Sequence, residues 1–421
     1  MQSIARSPIP VVVSQHVEDA AALRSTRTHL VSAPHVKLLH LGRLDERLAA
    51  HLDGVSVAGD FGARLAAAAL ESPGTGQVFV ATVGTIQSGQ ADGLDKLFSL
   101  IEAVPDARKG FTSAFGWVSK DTLKGTASAL LNAAAPFRKL VGITACALHR
   151  VDPGAALNPA ISSSDALVRA RSLRCAGEVG RRDQLPACVE HLKDEDAVSA
   201  FWAAWSSTLL GDRSKSIGVL RGLTITPSSC RERAVQLALK LLALPEAHEL
   251  LKSFSKDPAN QRVLLQGAGI AGDPHYVPWL IKQMEDLKLT RLAGESFSFI
   301  TGLDLAYLDL ERKPPEGTEL GPTDNPEDED VAMDADDSLP WPDPVKIQKW
   351  WDANKHRFQP GVRYFMGEPV NIENCKRVLR EGFQRQRIAA ALYLSLLQPG
   401  TPLFPTSAPA WRQQRWLGKM A

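Results

Sequence analysis

Short helical runs of small and apolar residues stop at Gly89, Ser119, His149, Gly180, Gly211, Leu244, Gly272 and Gly302, in steps of 28 to 33 residues. Stacked helix pairs repeat with this period. In the step that begins at Cys230, Ala234, Val235, Ala238, Leu241 and Leu242 share one helical face, and Arg231, Glu232, Arg233, Gln236 and Lys240 share the other. Pro245 is expected to end that helix, since its ring nitrogen cannot donate to the ladder. Ala247, Leu250, Leu251 and Phe254 make a second, shorter stripe. Neither helix is long enough to persist alone in water, so both must bury their stripes against neighbours. The recurrence therefore predicts an all-α chain, an α-solenoid of helical hairpins.

The same grammar returns on either side. Ala166, Ala170, Leu173, Gly177 and Gly180 form one stripe, Phe201, Ala204, Trp205, Thr208 and Leu209 another, and Val263, Gly267 and Ile270 a third. Their small residues let successive pairs approach closely. Asp257-Pro258 and Asp273-Pro274 set a capping carboxylate before a proline at the first helical position, and Ser163-Ser164-Asp165 is expected to do similar work. Glycines 74, 76, 84 and 89 are expected to loosen the first units.

The chain divides into four stretches. Residues 1–58 read as an N-terminal helical cap, extended as far as Val13 because of Pro8 and Pro10. A helix carrying Leu38, Leu41, Leu44, Leu48 and Leu52 follows, with Gly54 as its expected end. Residues 59–310 hold the repeats. Residues 311–343 are acidic, proline-bearing and nearly free of aromatics, a composition that buries too little apolar surface to order itself. Residues 344–421 form a C-terminal helical cap and tail. There Trp350 and Trp351 serve either as core or as a binding surface, and Ala389 to Leu397 is apolar enough to close the core.

The net charge of +1 argues against a dedicated nucleic-acid binder. The cysteines number 5, with no C-x-x-C pair, which disfavours a disulfide frame or a zinc site and fits a reducing cytoplasm. No secretory leader and no membrane-spanning run is evident. His16, His29, His35, His40 and His51 crowd the N-terminal cap, but His35 and His40 are five apart, unlike the i, i+4 spacing of two ligands on one helical face. They read as dispersed surface histidines, with a metal cluster as the sharper alternative. No G-x-S-x-G elbow, H-E-x-x-H pair or phosphate loop occurs, so neither catalysis nor a cofactor is expected.

The acidic stretch leaves three readings open: a solvated linker, an arm that docks on a basic partner, or a calcium loop, though it lacks the EF-hand glycine and closing Glu. Under the docking reading, Asp328, Glu329, Asp330, Asp334, Asp336 and Asp337 are the candidate partner-binding residues.

Five segments carry a resemblance: Leu41-Gly42-Arg43-Leu44-Asp45-Glu46-Arg47-Leu48-Ala49-Ala50-His51-Leu52-Asp53-Gly54, Asn325-Pro326-Glu327-Asp328-Glu329-Asp330, Leu339-Pro340-Trp341-Pro342-Asp343-Pro344, Gln384-Arg385-Gln386-Arg387, and Leu396-Leu397-Gln398-Pro399-Gly400. They resemble an uncharacterised bacterial HEAT-repeat family often encoded beside type VI secretion spike and PAAR effector genes. The resemblance implies HEAT-like hairpins, no known catalytic residues and a cytoplasmic protein whose partner is a cognate effector or toxin. It suggests an immunity protein that neutralises that toxin, plausibly a nuclease. The alternatives are an adaptor that loads the effector onto the spike, or a HEAT-like enzyme of the lyase type.

Overall fold

The structure, a computed structural model, describes residues 7–316, 318 and 334–420. The described residues are all-α, with 22 α-helices and one hairpin of two-residue strands. The chain forms two compact units. The first comprises Met1–Gly211, Arg380–Gln384 and Gln398–Ala421, and the second Asp212–Leu379 and Arg385–Leu397.

In the first unit the helices are α1 (Pro10–Leu30), α2 (Leu38–Val57), α3 (Gly59–Ala68), α4 (Thr75–Ser88), α5 (Ala91–Ala103), α6 (Arg108–Trp117), α7 (Lys120–Leu131), α8 (Pro136–His149), α9 (Leu157–Ile161), α10 (Ala166–Val179), α11 (Leu185–Glu190) and α12 (Ala197–Leu210). α1, α4, α6, α8, α10 and α12 pack in succession as one row, and α7, α9 and α11 each pack on the row helix that follows them. This is solenoid stacking. Phe79, Phe98, Phe111 and Phe115 are buried in its core, with Phe98 and Phe111 edge to face at 4.9 Å.

The second unit repeats the pattern with α13 (Lys215–Ile225), α14 (Arg231–Leu241), α15 (Leu244–Phe254), α16 (Gln261–Ala271), α17 (Val277–Gln283) and α18 (Thr290–Thr301). Here α14, α16 and α18 form the row. Then come α19 (Pro344–Asn354), β1 (Tyr364–Phe365), β2 (Glu368–Pro369), α20 (Ile372–Glu381) and α21 (Gln384–Leu397), whereas α22 (Ala410–Lys419) belongs to the first unit. Trp351 lies in the core beside Ile347 and Phe358, and Trp350 packs edge to face on Phe297 at 6.1 Å. Ala390, Tyr393 and Leu394 are buried, as the apolar run at Ala389 to Leu397 predicts.

Caps and close approaches follow the sequence at most positions. The Asp165, Asp257 and Asp273 carboxylates accept from the backbone N–H of Val168, Ala259 and His275 at 2.9 to 3.0 Å. A Cβ on Gly177 would meet Ser206 Cα at 2.9 Å, and one on Gly269 would meet Ser296 Cα at 2.8 Å. Small residues on the row helices do allow close packing.

Local reading fails at four prolines and glycines. Pro10 does not break α1 but opens it, at a position where the missing N–H costs nothing. Gly54 does not end α2, which continues to Val57; a side chain there would meet the His16 ring at 2.6 Å, so the glycine serves helix crossing. Pro245 stands in the first turn of α15, after α14 has already stopped at Leu241. Gly76 tightens its unit, because its Cα lies where a Cβ would come 2.2 Å from the Ala21 carbonyl oxygen.

The last carbonyls of a helix have no partner within it. In each unit, later chain supplies one. In the second, Tyr364 N–H donates to Gly272 O at 2.7 Å, Met366 N–H to Phe299 O at 2.7 Å, and Gly367 N–H to Ile300 O at 3.0 Å. The Arg363 guanidinium donates to the carbonyls of Ala271 and Leu242 at 3.0 and 2.6 Å, and to that of Lys240. In the first, Gly400 N–H donates to Leu209 O at 2.9 Å and Leu403 N–H to Glu178 O at 3.0 Å. Arg412 donates to Gly116 O and Val118 O at 2.8 and 3.2 Å. The C-terminal segment is therefore a strap across the row-helix ends of the first unit.

Candidate functional sites

The second unit contains the acidic stretch. Its two ends are pinned together: Arg312 N–H donates to Trp341 O and Asp343 N–H to Leu310 O, both at 2.8 Å, in a short antiparallel clasp around Glu311 and Pro342. Of the six candidate partner-binding residues, Asp328, Glu329 and Asp330 lie outside the described residues. Asp334 pairs with Arg291. Asp336, 3% exposed, takes both terminal nitrogens of Arg262, one of them at 3.0 Å, while its backbone carbonyl accepts from Arg291 at 3.0 Å. Asp337 is exposed. The structure thus separates the group: two carboxylates brace the base of the loop from within, and one faces outward.

Two of the N-terminal histidines meet after all. His16 Nδ1 and His51 Nδ1 are 3.0 Å apart, with Asp19 3.7 Å from the His51 ring, because α1 and α2 pack antiparallel. Among the described residues, no group of three or more His, Cys, Asp or Glu side chains is placed to hold a metal ion. All five cysteines are free and buried. Burial pushes the Cys146 thiol up to about 11 and those of Cys175, Cys188 and Cys375 up to about 12. Such thiols are not nucleophiles at neutral pH.

The first unit holds a site that sequence reasoning missed. A cavity of about 320 Å³ lies between the row helices and Leu403–Pro409 of the strap. Arg24 and Arg27 reach it from α1, Arg150 from the end of α8, Arg174 and Glu178 from α10, and Arg412 from α22, with Phe79 and Trp117 as its apolar wall. Arg27 forks onto Asp45 at 2.6 and 3.2 Å and donates to Ser407 O and Ala408 O, each at 3.0 Å. Arg24 donates to Ser113 Oγ at 3.0 Å and Thr28 Oγ1 at 2.7 Å. Arg150 donates to Leu403 O at 2.6 Å and to Ala147 O.

Electrostatics follow from this crowding. Burial and the neighbouring Arg27 charge lower Arg24 to about 10, and burial with Arg415 and Arg27 does the same to Arg412. Burial works against a charged Glu178, but Arg171, Arg174 and Arg150 outweigh it and hold the carboxyl below the usual range. His149 accepts no charge here: burial and Arg412 lower it to about 4, and its Nε2 sits 2.8 Å from Phe115 O. The available signal was the i, i+3 pair Arg24–Arg27 and the i, i+3, i+7 set Arg171–Arg174–Glu178. Which faces of distant helices converge is set by stacking and cannot be read from either segment.

No family model matches this sequence, and no curated protein or solved structure matches it. Among the described residues, no helix is long and apolar enough to cross a membrane.

Proposed function

We propose that the chain is a non-enzymatic protein-binding scaffold whose acidic stretch docks on a basic partner, and that the partner is a cognate type VI secretion toxin which it neutralises. The observation that carries this reading is the clasp. Leu310 is pinned to Asp343 and Arg312 to Trp341, so the two ends that flank the acidic stretch are held together, and Asp334 and Asp336 are fixed beside them on Arg291 and Arg262. Anchoring both ends lowers the ordering cost on binding, and clustered negative charge speeds capture of a basic surface such as a nuclease.

The test is to replace Asp328, Glu329 and Asp330 by Asn or Gln, leaving Asp334 and Asp336 intact because they hold the base. Affinity for the toxin encoded beside the gene should fall, and its salt dependence should flatten. Unchanged affinity and salt slope would remove the acidic loop from the interface. Deletion in the producing cell should cause self-killing; a healthy cell that fails to export the toxin would instead mark an adaptor.

A further inference from the structure

The cavity of the first unit and its surroundings hold more positive charge than the fold uses. Arg24, Arg27, Arg150, Arg174 and Arg412 line it, and Arg171 stands beside them on Glu178. The carboxylates paired with this group are two: Asp45 with Arg27, and Glu178 with Arg171 and Arg174. Among the described residues, Arg24, Arg150 and Arg412 donate only to neutral oxygens. Hydroxyls and carbonyls satisfy N–H groups but compensate no charge; Arg150 shares Glu178 with Arg171 and Arg174, so six guanidiniums stand against two carboxylates, which is costly away from water.

We propose that this cavity binds a small polyanion bearing two or more phosphate groups. An excess of several guanidiniums calls for a ligand with more than one negative charge. Arginine forks match the oxygens of phosphate two at a time. The volume, about 320 Å³, lies at the small end of the range that takes metabolites, roughly 300–1,000 Å³. An acidic peptide is the weaker candidate, because an extended segment already lies there. Leu403–Pro409 forms the cavity wall, and its carbonyls at Leu403, Ser407 and Ala408 are read by Arg150 and Arg27. Phe79 and Trp117 hold the guanidiniums in place rather than receive the ligand: Arg24 lies over the Phe79 ring at 5.4 Å and Arg27 over the Trp117 ring at 5.9 Å. Since Arg27, Arg150 and Arg412 also hold the strap or the helix end beneath it, an occupied cavity tightens the strap on the first unit.

The test is calorimetric titration of the full chain with inorganic pyrophosphate, ATP, inorganic phosphate and a hexa-aspartate peptide at constant ionic strength. Pyrophosphate or ATP should bind saturably and raise Tm, and either should bind more tightly than inorganic phosphate. Tighter binding of ATP assigns a nucleotide; equal binding assigns the phosphate chain alone. Arg24→Gln should weaken binding about tenfold or more, and Arg24→Lys less, since loss of one charge-assisted contact is worth that much. Should Arg24→Gln not fold, hydrogen exchange on the unaltered protein decides: pyrophosphate must slow exchange at residues 24–28 and 403–409. The proposal is overturned if neither phosphorylated probe binds, if a folded Arg24→Gln binds equally well, if exchange at those segments is unchanged, or if only the peptide binds.

Discussion

Arg150 ends α8 in the left-handed conformation, at φ 55°, and its Nε donates to the carbonyl oxygen of Leu403 at 2.6 Å, across 253 residues of chain. Gly180, Gly211, Gly272 and Gly302 occupy the equivalent position of other row helices. At this one an arginine tolerates the turn because its side chain is needed to hold the strap.

Arg150→Gly and Arg150→Ala separate those two roles. Both lose the bond to Leu403, expected to lower stability by about 1–3 kcal/mol. Alanine must also hold the left-handed turn without compensation, a further ~1–2 kcal/mol. Urea unfolding should therefore rank the native protein above the glycine variant, and the glycine variant above the alanine one. Equal stability of the two variants would mean that the left-handed turn is not maintained.

Gly272→Ala tests the crossing of later chain over a helix end in the second unit. At φ 71° a side chain is strained, and its Cβ would come 2.2 Å from Tyr364 O. Strain and overlap together should cost about 3 kcal/mol or more. Gly222→Ala, in the interior of α13 with nothing within 4 Å of its Cβ, should instead be neutral or stabilising by up to ~1 kcal/mol. Thermal unfolding of the pair checks both; a harmless Gly272→Ala would show that the backbone at 364 yields freely.

Lys240 is buried with its Nζ 4.1 Å above the Tyr393 ring. Burial, then the Arg363 guanidinium, lowers it from 10.5 to about 7. The sign follows from proton counting. Between about pH 7 and 10.5 the unfolded chain binds the proton that the folded chain has released, so stability rises with pH across that window. Below pH 7 the full penalty applies. Lys240→Met should thus stabilise the protein near pH 6 by on the order of a few kcal/mol, an advantage that shrinks toward pH 10. A difference between the two proteins that stays flat over this range would refute a depressed lysine.

The repeat was legible because its marks are local. Gly89, Gly180, Gly211, Gly272 and Gly302 each end a row helix in the left-handed conformation, and each was placed by sequence at a stop. The carboxylate caps at Asp165, Asp257 and Asp273 were equally local. Pro10, Gly54 and Gly76 were misread for the complementary reason. A proline is harmless at a helix start, and a glycine inside a helix is retained when a neighbouring helix or backbone leaves no room for a Cβ. Nothing in the segment itself announces either condition.

The period, the apolar stripes and the caps settled by themselves that this chain folds as paired short helices, since those preferences act over three or four residues. Stacking decided the rest. It brought Arg24, Arg150, Arg174 and Arg412, drawn from four separate helices or their ends, around one cavity. It also carried residues 398–412 back over helix ends formed far earlier in the chain, where unpaired carbonyls awaited donors. Such meetings depend on packing many side chains at once, and no stretch of sequence records its partner across that distance.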